Sequence, residues 1–323
     1  MVVVARIAVI GGGIAGRCVV AALGVDVDLY DRPGPRASDV PAALCHAFPG
    51  RTFDPPLHQI QAYERTVEWL NRYPLGVEAI RISRRQDKRL AQSLARANKA
   101  VPITAFATGF EYGGAWVVDM PLWLTQLAPA VVSQAADAKL ESNGKRRVAT
   151  IHGVKEYDHV VICPGTSLQD WLQMPDARVV HGEIAFFASR IDKAHFGSAH
   201  VYPVGDRIAV GHTFLDAPRP DVEAVEELRF RAEKDGHLIG ENVAVWRGAR
   251  SVVHPDRLPV LTEIRPNVFV LGGLGAKGLL YAPYLAEALA ARILRGEKLP
   301  TEFTWPRTTG RQNGDCCGCD GSQ

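Results

Sequence analysis

The stretch Arg6 to Asp31, RIAVIGGGIAGRCVVAALGVDVDLYD, constrains the fold more than any other part of the chain. An apolar run, Ile7 to Ile10, has the character of a strand buried on both faces. It turns through Gly11-Gly12-Gly13-Ile14-Ala15-Gly16, which satisfies G-x-G-x-x-G. In such a loop Gly11 permits the tight turn and Gly13 lets bare backbone approach a pyrophosphate. Gly16 lets the following helix pack closely on the strand. A helix predicted over 14–23 would aim its free N–H groups and positive dipole end at the phosphates, with Ile14 and Ala15 in its first turn. A second β-rich run, 25–30, ends at Asp31, about 20 residues on, where a carboxylate can hydrogen-bond a ribose diol. Strand, glycines, helix, second strand and acid occur in order, which a mere glycine-rich turn would not require. Together they predict a dinucleotide site.

A chain of 323 residues can form two domains or one large α/β unit, at about 150 residues per domain. The apolar share of 47% and charged share of 22% suit a globular protein, and a formal charge of +2 points by itself to neither nucleic acid nor an acidic substrate. No run approaches the ~18 apolar residues of a membrane span and no basic-then-apolar leader precedes the first strand, so a cytoplasmic location is expected. Cys18, Cys45 and Cys163 sit singly in apolar surroundings, as packed thiols do. Cys316, Cys317 and Cys319 crowd a glycine-rich polar tail too short for a four-ligand zinc site. Incidental thiols, a soft-metal or redox role, and contact with another chain all fit them.

Along the chain, Arg32-Pro33-Gly34-Pro35-Arg36 forms a loop, and Ala42-Ala43-Leu44-Cys45-His46 leads to Phe48-Pro49-Gly50-Arg51. Spacings of three and four predict a helix over 56–72 with Ile60, Tyr63, Val67 and Leu70 on one face. A second helix is predicted over 84–98. Between Arg81 and Lys99 seven basic residues face one acid, Asp87: a solvated helix face, or a patch for an anionic partner such as RNA. A strand over 114–118 precedes Asp119, a predicted N-cap for a helix through Leu122, Leu124 and Leu127. Strands are predicted over 148–151 and 158–163, the second ending in Pro164-Gly165-Thr166 at the sheet edge where ligands lie. From 179 to 260 the pattern is β-rich (184–187, 200–204, 208–212), with one helix near 222–234. A last buried-type strand, 268–271, runs into Gly272-Gly273-Leu274-Gly275-Ala276-Lys277-Gly278. The helix after it is predicted over 283–294, with Pro283 in its first turn, a buried stripe of Leu285, Leu289 and Ile293, and Gly296 at C′. Dinucleotide-type βα segments at start, middle and end, with β-rich and basic segments between, predict two domains that exchange the chain repeatedly.

Four pieces of this sequence resemble the D-amino-acid oxidase superfamily of FAD enzymes, which includes glycine oxidase and sarcosine oxidase. They are GGGIAG with Asp31, where the family usually has Glu; DHVVICPGTS; Val245-Trp246-Arg247-Gly248-Ala249-Arg250 with Pro255-Asp256-Arg257-Leu258-Pro259-Val260; and GGLGAKGLLYAPYLAEAL. The likeness spans nearly the whole chain except its last twenty or so residues. The fourth piece is most similar to the FAD domain of the bacterial tRNA wobble-uridine enzymes that make methylaminomethyl-thiouridine, with Lys277 at their Arg position; their methyltransferase half has no counterpart here. Two positions depart from the family: His212 where a small residue is commoner, and Glu183 where Gln is usual.

The resemblance implies an α/β fold: a Rossmann-type FAD-binding domain (1–44, 114–178, 261–300) interleaved with an α+β substrate domain built on an antiparallel sheet (45–113, 179–260), then a tail (301–323). It implies FAD held by Gly11, Gly13, Ile14, Ala15, Gly16, Asp31, Arg32, Ala43, Leu44, Pro164, Gly165, Gly273, Gly275, Lys277, Gly278 and Leu279. The implied activity is oxidation of the C–N bond of an amino acid or secondary amine, of glycine or N-substituted glycine type. Hydride passes to the flavin, the imine is hydrolysed, and O₂ or another acceptor reoxidises the cofactor. Arg250 would clamp the substrate carboxylate, with Arg247 a weaker alternative; Lys277 would place positive charge at the flavin; His46 would border the ring; His200 and Tyr202, on one face of a strand, would be candidates to face the substrate. The alternatives are removal of a carboxymethyl group from carboxymethylaminomethyl-uridine in tRNA, and a flavin- or nucleotide-binding protein without turnover.

Overall fold

The computed structural model describes residues 5–32, 34–50, 52–94, 101–128, 133–134, 139–140, 147–150, 153–211 and 213–307. Pro33, Arg51, His212, the end of the basic segment (95–100) and the cysteines Cys316, Cys317 and Cys319 lie outside the described residues. The helices are, in chain order, α1 (Ile14–Leu23), α2 (Leu57–Arg72), α3 (Lys88–Leu94), α4 (Met120–Leu127), α5 (Leu168–Leu172), α6 (Asp221–Lys234) and α7 (Gly278–Arg295). None is long and apolar enough to cross a membrane.

The run Ile7–Ile10 is a central strand, parallel to Val27–Asp31 on one side and His159–Ile162 on the other. Its alternation serves two cores: Ile7 and Val9 join one apolar cluster and Ala8 the other, so both faces are buried. The sheet continues through Val268–Gly272 to the antiparallel edge strand Val260–Arg265, and on the other side ends at Ser133–Gln134. A second sheet of nine strands runs in the order Asn242–Val253, Ala177–Phe187, Arg207–Gly211, His200–Val204, Ala194–Phe196, Val77–Arg85, Gly109–Val118, Ala43–His46, with Ile103–Phe106 also on Gly109–Val118. It is antiparallel except where Ala194–Phe196 pairs in parallel with Val77–Arg85. This is the predicted α/β architecture, a Rossmann-type sheet interleaved with a largely antiparallel one. The strand Gly109–Val118 crosses the boundary expected at 113/114, and Ala43–His46 crosses that at 44/45.

Three local expectations are corrected. The helix predicted over 84–98 begins at Lys88, because Arg84 and Arg85 continue a strand paired with Phe110 and Gly109. Asp87 then caps the turn, its Oδ1 accepting from Arg89 N at 2.7 Å and Leu90 N at 3.3 Å. The buried side of α2 is rotated from the predicted stripe: Gln59, Ala62, Tyr63, Thr66, Trp69 and Leu70 are covered, while Ile60 and Val67 are half-buried. The last helix starts at Gly278, so Pro283 lies inside it rather than in its first turn. A proline there cannot donate to the carbonyl four residues back. Thr66 replaces the lost donor: its Oγ1 donates to the Leu279 carbonyl at 3.2 Å and to that of Leu280 at 2.9 Å. Thus a polar residue is buried on α2 because Pro283 leaves the Leu279 carbonyl of α7 without its helical donor opposite it. Gly296 ends α7 in the left-handed conformation, as predicted.

Candidate active site

The glycine loop folds as its sequence requires. Gly11 adopts φ +108°, and a side chain there would collide with the Cys163 carbonyl at the end of the neighbouring strand. A methyl on Gly16 would strike the Gly11 carbonyl oxygen, so α1 lies directly on the turn. Gly13 is the N-cap of α1, and a Cβ there would meet only Ser38 Oγ, at 3.2 Å. Bare backbone and a helix N-terminus therefore meet only this hydroxyl, to which the N–H of Ile14 donates at 2.9 Å. Asp31 lies against Gly12. One of its oxygens accepts from Arg36 Nη1 at 2.6 Å and the other from Arg32 N at 3.1 Å. The Gly12 carbonyl accepts from both Arg17 Nε (3.0 Å) and Arg36 Nη1 (3.2 Å). The Arg17 and Arg36 guanidinium groups are offset by Asp31 and by Asp39, which lies 2.9 Å from Arg36 Nη2, leaving the dipole end of α1 as the feature that favours a pyrophosphate.

At the other end, Gly273 and Gly275 take φ +68° and +53°, carrying the chain from the strand Val268–Gly272 into α7. A Cβ on Gly278 would lie 3.6 Å from Ile14 Cγ2, so the N-termini of α1 and α7 meet. Leu279 is buried behind them. Gly165, at φ +57° after Pro164, has open space where its side chain would be. Ala43 and Leu44, half-buried, begin the strand that packs against α7. The strand Asn242–Val253 packs against three turns at once, Ala37–Asp39, Gly165–Ser167 and Gly275–Lys277, and bridges to Leu274 through Val252. All four sequence pieces therefore converge. Bare backbone, two helix N-termini and a ribose-range carboxylate fit an extended dinucleotide cofactor.

Lys277 is half-buried, its Nζ 3.5 Å from Gln59 Oε1 and 5.9 Å from the centre of the Tyr281 ring. Gln59 in turn donates to the Ala47 carbonyl at 3.2 Å, linking the strand end after His46 to the α7 turn. Arg250 lies on Gly182, donates from Nη2 to the Thr213 carbonyl at 3.1 Å, and places its Cζ 4.9 Å from the centre of the Phe214 ring. Its Nε is buried without a hydrogen-bond partner, and among the described residues no carboxylate pairs with it. Burial holds its pKa below the usual arginine value, so it sits as an under-satisfied cation. Arg247 faces the other side of the sheet, where it is ion-paired with Asp221 and Glu183, although its Nε and Nη2 are buried without hydrogen-bond partners.

His46 is 6% exposed in an aromatic cluster with Phe196 and Tyr112, its Nδ1 accepting from Phe48 N at 3.3 Å. Burial first, and then the charge of Arg84, lower its pKa to about 3, so it is neutral and no proton carrier near pH 7. His200 stacks on Phe196 at 3.9 Å, and Tyr202 donates to the Ala42 carbonyl at 3.0 Å. The three central cysteines are buried free thiols, with burial pushing Cys45 and Cys163 up to about 12. Ser38, Arg36, Gln59 and Thr213 escaped the sequence reading: each is a common surface residue type whose role appears only when distant segments meet. Only Arg36-x-x-Asp39, which closes on itself as a 3₁₀ turn, left a local sign.

Residues 6–292 match the profile of the family described as FAD dependent oxidoreductase, DAO. The chain belongs to that family. It is an FAD-dependent oxidoreductase, and FAD is its cofactor. Among curated relatives, the tRNA 5-methylaminomethyl-2-thiouridine biosynthesis bifunctional protein MnmC of Maricaulis maris is 28% identical over 315 residues, covering 90% of this chain and 52% of the relative. That of Dichelobacter nodosus is 28% identical, covering 92% and 55%. The chain spans about half the length of the curated relatives it matches. Among solved structures, glycine oxidase from Geobacillus kaustophilus aligns with a TM-score of 0.70 at 21% identity, covering 91% of this chain and 96% of that one. L-amino acid deaminase from Proteus vulgaris aligns at 0.75 with 15% identity, covering 94% of each. These establish a shared fold.

Proposed function

We propose that this DAO-family enzyme oxidises the C–N bond of an amino acid or secondary amine of glycine or N-substituted glycine type. The observation that carries the reading is Arg250: a half-buried guanidinium whose Nε has no hydrogen-bond partner and which pairs with no carboxylate among the described residues. Such a group favours a planar anion, and a carboxylate clamped on it fixes the rest of a small amino acid. FAD, when bound, supplies the two-electron acceptor, to be reoxidised by O₂ or another acceptor. The α C–H leaves as hydride while the nitrogen lone pair forms C=N; water then splits that imine into a carbonyl compound and an amine. Gly11, Gly13, Ile14, Ala15, Gly16, Asp31 and Arg32 would hold the adenosine diphosphate half. Ala43, Leu44, Pro164, Gly165, Gly273, Gly275, Gly278 and Leu279 would line the remainder. Lys277 would supply positive charge where the cofactor takes up electrons. In this reading the six-stranded sheet is the core of the cofactor domain, and the nine-stranded sheet, Gly109–Val118 included, presents substrate.

The test is anaerobic mixing of the yellow holoprotein with glycine, N-methylglycine and larger N-substituted glycines, following the flavin absorbance. Bleaching by at least one, with KM raised at least about tenfold in Arg250→Ala at unchanged FAD content, is expected. A flavin that no such amine reduces would sink the reading.

A second reading, in which the N-substituted glycine is carried on a tRNA wobble uridine, is favoured by the curated relatives. The basic segment supports it only in part. Among the described residues of the segment, Arg84 is used on the Phe48 and Gly50 carbonyls, the exposed Arg85 pairs with Asp235, the exposed Arg81 lies 4.0 Å from Glu111, and Lys88 and Arg89 are exposed. Salt-sensitive tRNA binding, lost on neutralising Lys88 and Arg89, would select this reading over a free amino acid.

A further inference from the structure

We propose that Gly182 and Thr213 are positioning residues that preset the Arg250 guanidinium as a carboxylate clamp, an inference resting on the reading of Arg250 above. Strand pairing sets Val180 opposite Arg250 and Gly182 opposite Gly248, so the Arg250 side chain runs diagonally back over Gly182. A Cβ at Gly182 would lie 2.6 Å from Nη1 and 3.0 Å from both Cζ and Nη2. Those distances place the missing methyl obliquely off the Nη1–Nη2 end of the guanidinium, nearest Nη1. The glycine is the space in which the group lies.

Thr213 fixes the edge. Its carbonyl accepts from Arg250 Nη2, and the residue itself is 3% exposed and pinned to the strand. Thr213 Oγ1 accepts from the Glu183 N–H at 2.9 Å and donates to Glu183 Oε2 at 3.4 Å. Glu183 does not compete for Arg250. Alternation turns it to the other face of the sheet, where Arg219 Nη2 holds it at 2.8 Å and Arg247 Nε lies 3.6 Å away. The glutamate at this position, a departure from the family pattern, thus anchors Thr213 while its charge is met elsewhere. Gly182 clears the space for the end of the guanidinium and Thr213 holds its Nη2 before a ligand arrives, so less side-chain ordering remains at binding. Glycine and threonine act here through Arg250, not on substrate.

The test uses the FAD-loaded full chain and acetate, a carboxylate that cannot be oxidised as an amine, titrated by calorimetry so that no turnover is needed. Thr213→Val, which loses both Oγ1 bonds, and Gly182→Ala, which displaces the guanidinium, are expected to weaken acetate about tenfold. Thr213→Ser should bind and melt as wild type does; Thr213→Val should melt lower because the buried Glu183 N–H is left unmet, with FAD content unchanged in both. In turnover the loss should appear in KM with kcat little changed. Loss of acetate binding in Arg250→Ala, with Thr213→Val and Gly182→Ala as tight as wild type, overturns the positioning role and leaves Arg250 as the clamp. Acetate bound equally by wild type and Arg250→Ala, or by neither, overturns both.

Discussion

Gly13 and Gly16 stand three residues apart in one motif and answer to different partners. A methyl on Gly16 would collide with the Gly11 carbonyl, which is backbone and cannot retreat, so Gly16→Ala should cost about 1–3 kcal/mol in urea unfolding of the apoprotein, the range for overpacking. Gly13 has φ −73° and meets only a serine hydroxyl, so Gly13→Val should leave apoprotein stability within about 1 kcal/mol and yet abolish FAD retention. Normal flavin content in that variant would remove the glycine loop from the cofactor site. His46 gives a pH prediction. Its folded pKa of about 3 lies below that of an unfolded histidine, so the unfolded chain takes up the proton first as pH falls. Stability is therefore full above pH ~6.5 and falls by about 1.4 kcal/mol per unit as pH drops through the window toward 3. His46→Asn, which keeps an acceptor for Phe48 N, should flatten the slope between pH 6.5 and 5 by roughly 2 kcal/mol in denaturant unfolding. Equal slopes in the two proteins would show that the imidazole is not buried neutral.

The pairing of α2 with α7 shows an element shaped by its neighbour. Pro283 removes one donor, and Thr66 returns it from another helix. Thr66→Val should cost about 1–3 kcal/mol, the penalty for a buried carbonyl left unmet, whereas in a Pro283→Ala background, where the helix regains its own N–H, the cost should shrink by half or more. Additive effects in the double-mutant cycle would refute the exchange. The same pair explains what was legible in the sequence. The first βαβ unit was readable because its period, glycines and acid are all local signals that agree. Pro283 misled because its N1 preference is a local rule that Thr66, 217 positions earlier in sequence, allows the chain to break. Gln59 and Thr66 hid the true face of α2, since an apolar stripe cannot announce buried polar residues. Arg84 and Arg85 look helical next to Lys88 and Arg89 until Gly109 and Phe110 arrive to pair with them. At the proposed site, Arg250 and the glycine turns were legible as types, but the residues that hold them, Thr213 and Ser38 among them, were not.

For the whole molecule, the repeated exchange of chain between the two sheets would suggest bodies that could unfold apart. The core argues otherwise. A single apolar cluster contains Ile7, Val9 and Leu29 from the six-stranded sheet, Ile82, Tyr112 and Phe196 from the nine-stranded sheet, and the inner faces of α1, α2 and α7. Separating the sheets would open that cluster along its length, so neither has a low-energy way to melt alone. Urea unfolding followed by far-ultraviolet circular dichroism and by tryptophan fluorescence should therefore give coincident transitions. The tryptophans are well placed for this, with Trp69 and Trp123 in the shared cluster, Trp246 against it from the nine-stranded sheet, and Trp171 and Trp305 against the second. Excess FAD should move both signals together, by about 2.7 kcal/mol at a hundredfold excess over its Kd, because a ligand held by one sheet stabilises whatever unfolds with that sheet. Two midpoints, of which only one responds to FAD, would mean that the nine-stranded sheet stands independently of the cofactor. The proposed clamp at Arg250 would then be held against the flavin by loop contacts alone rather than by a common core.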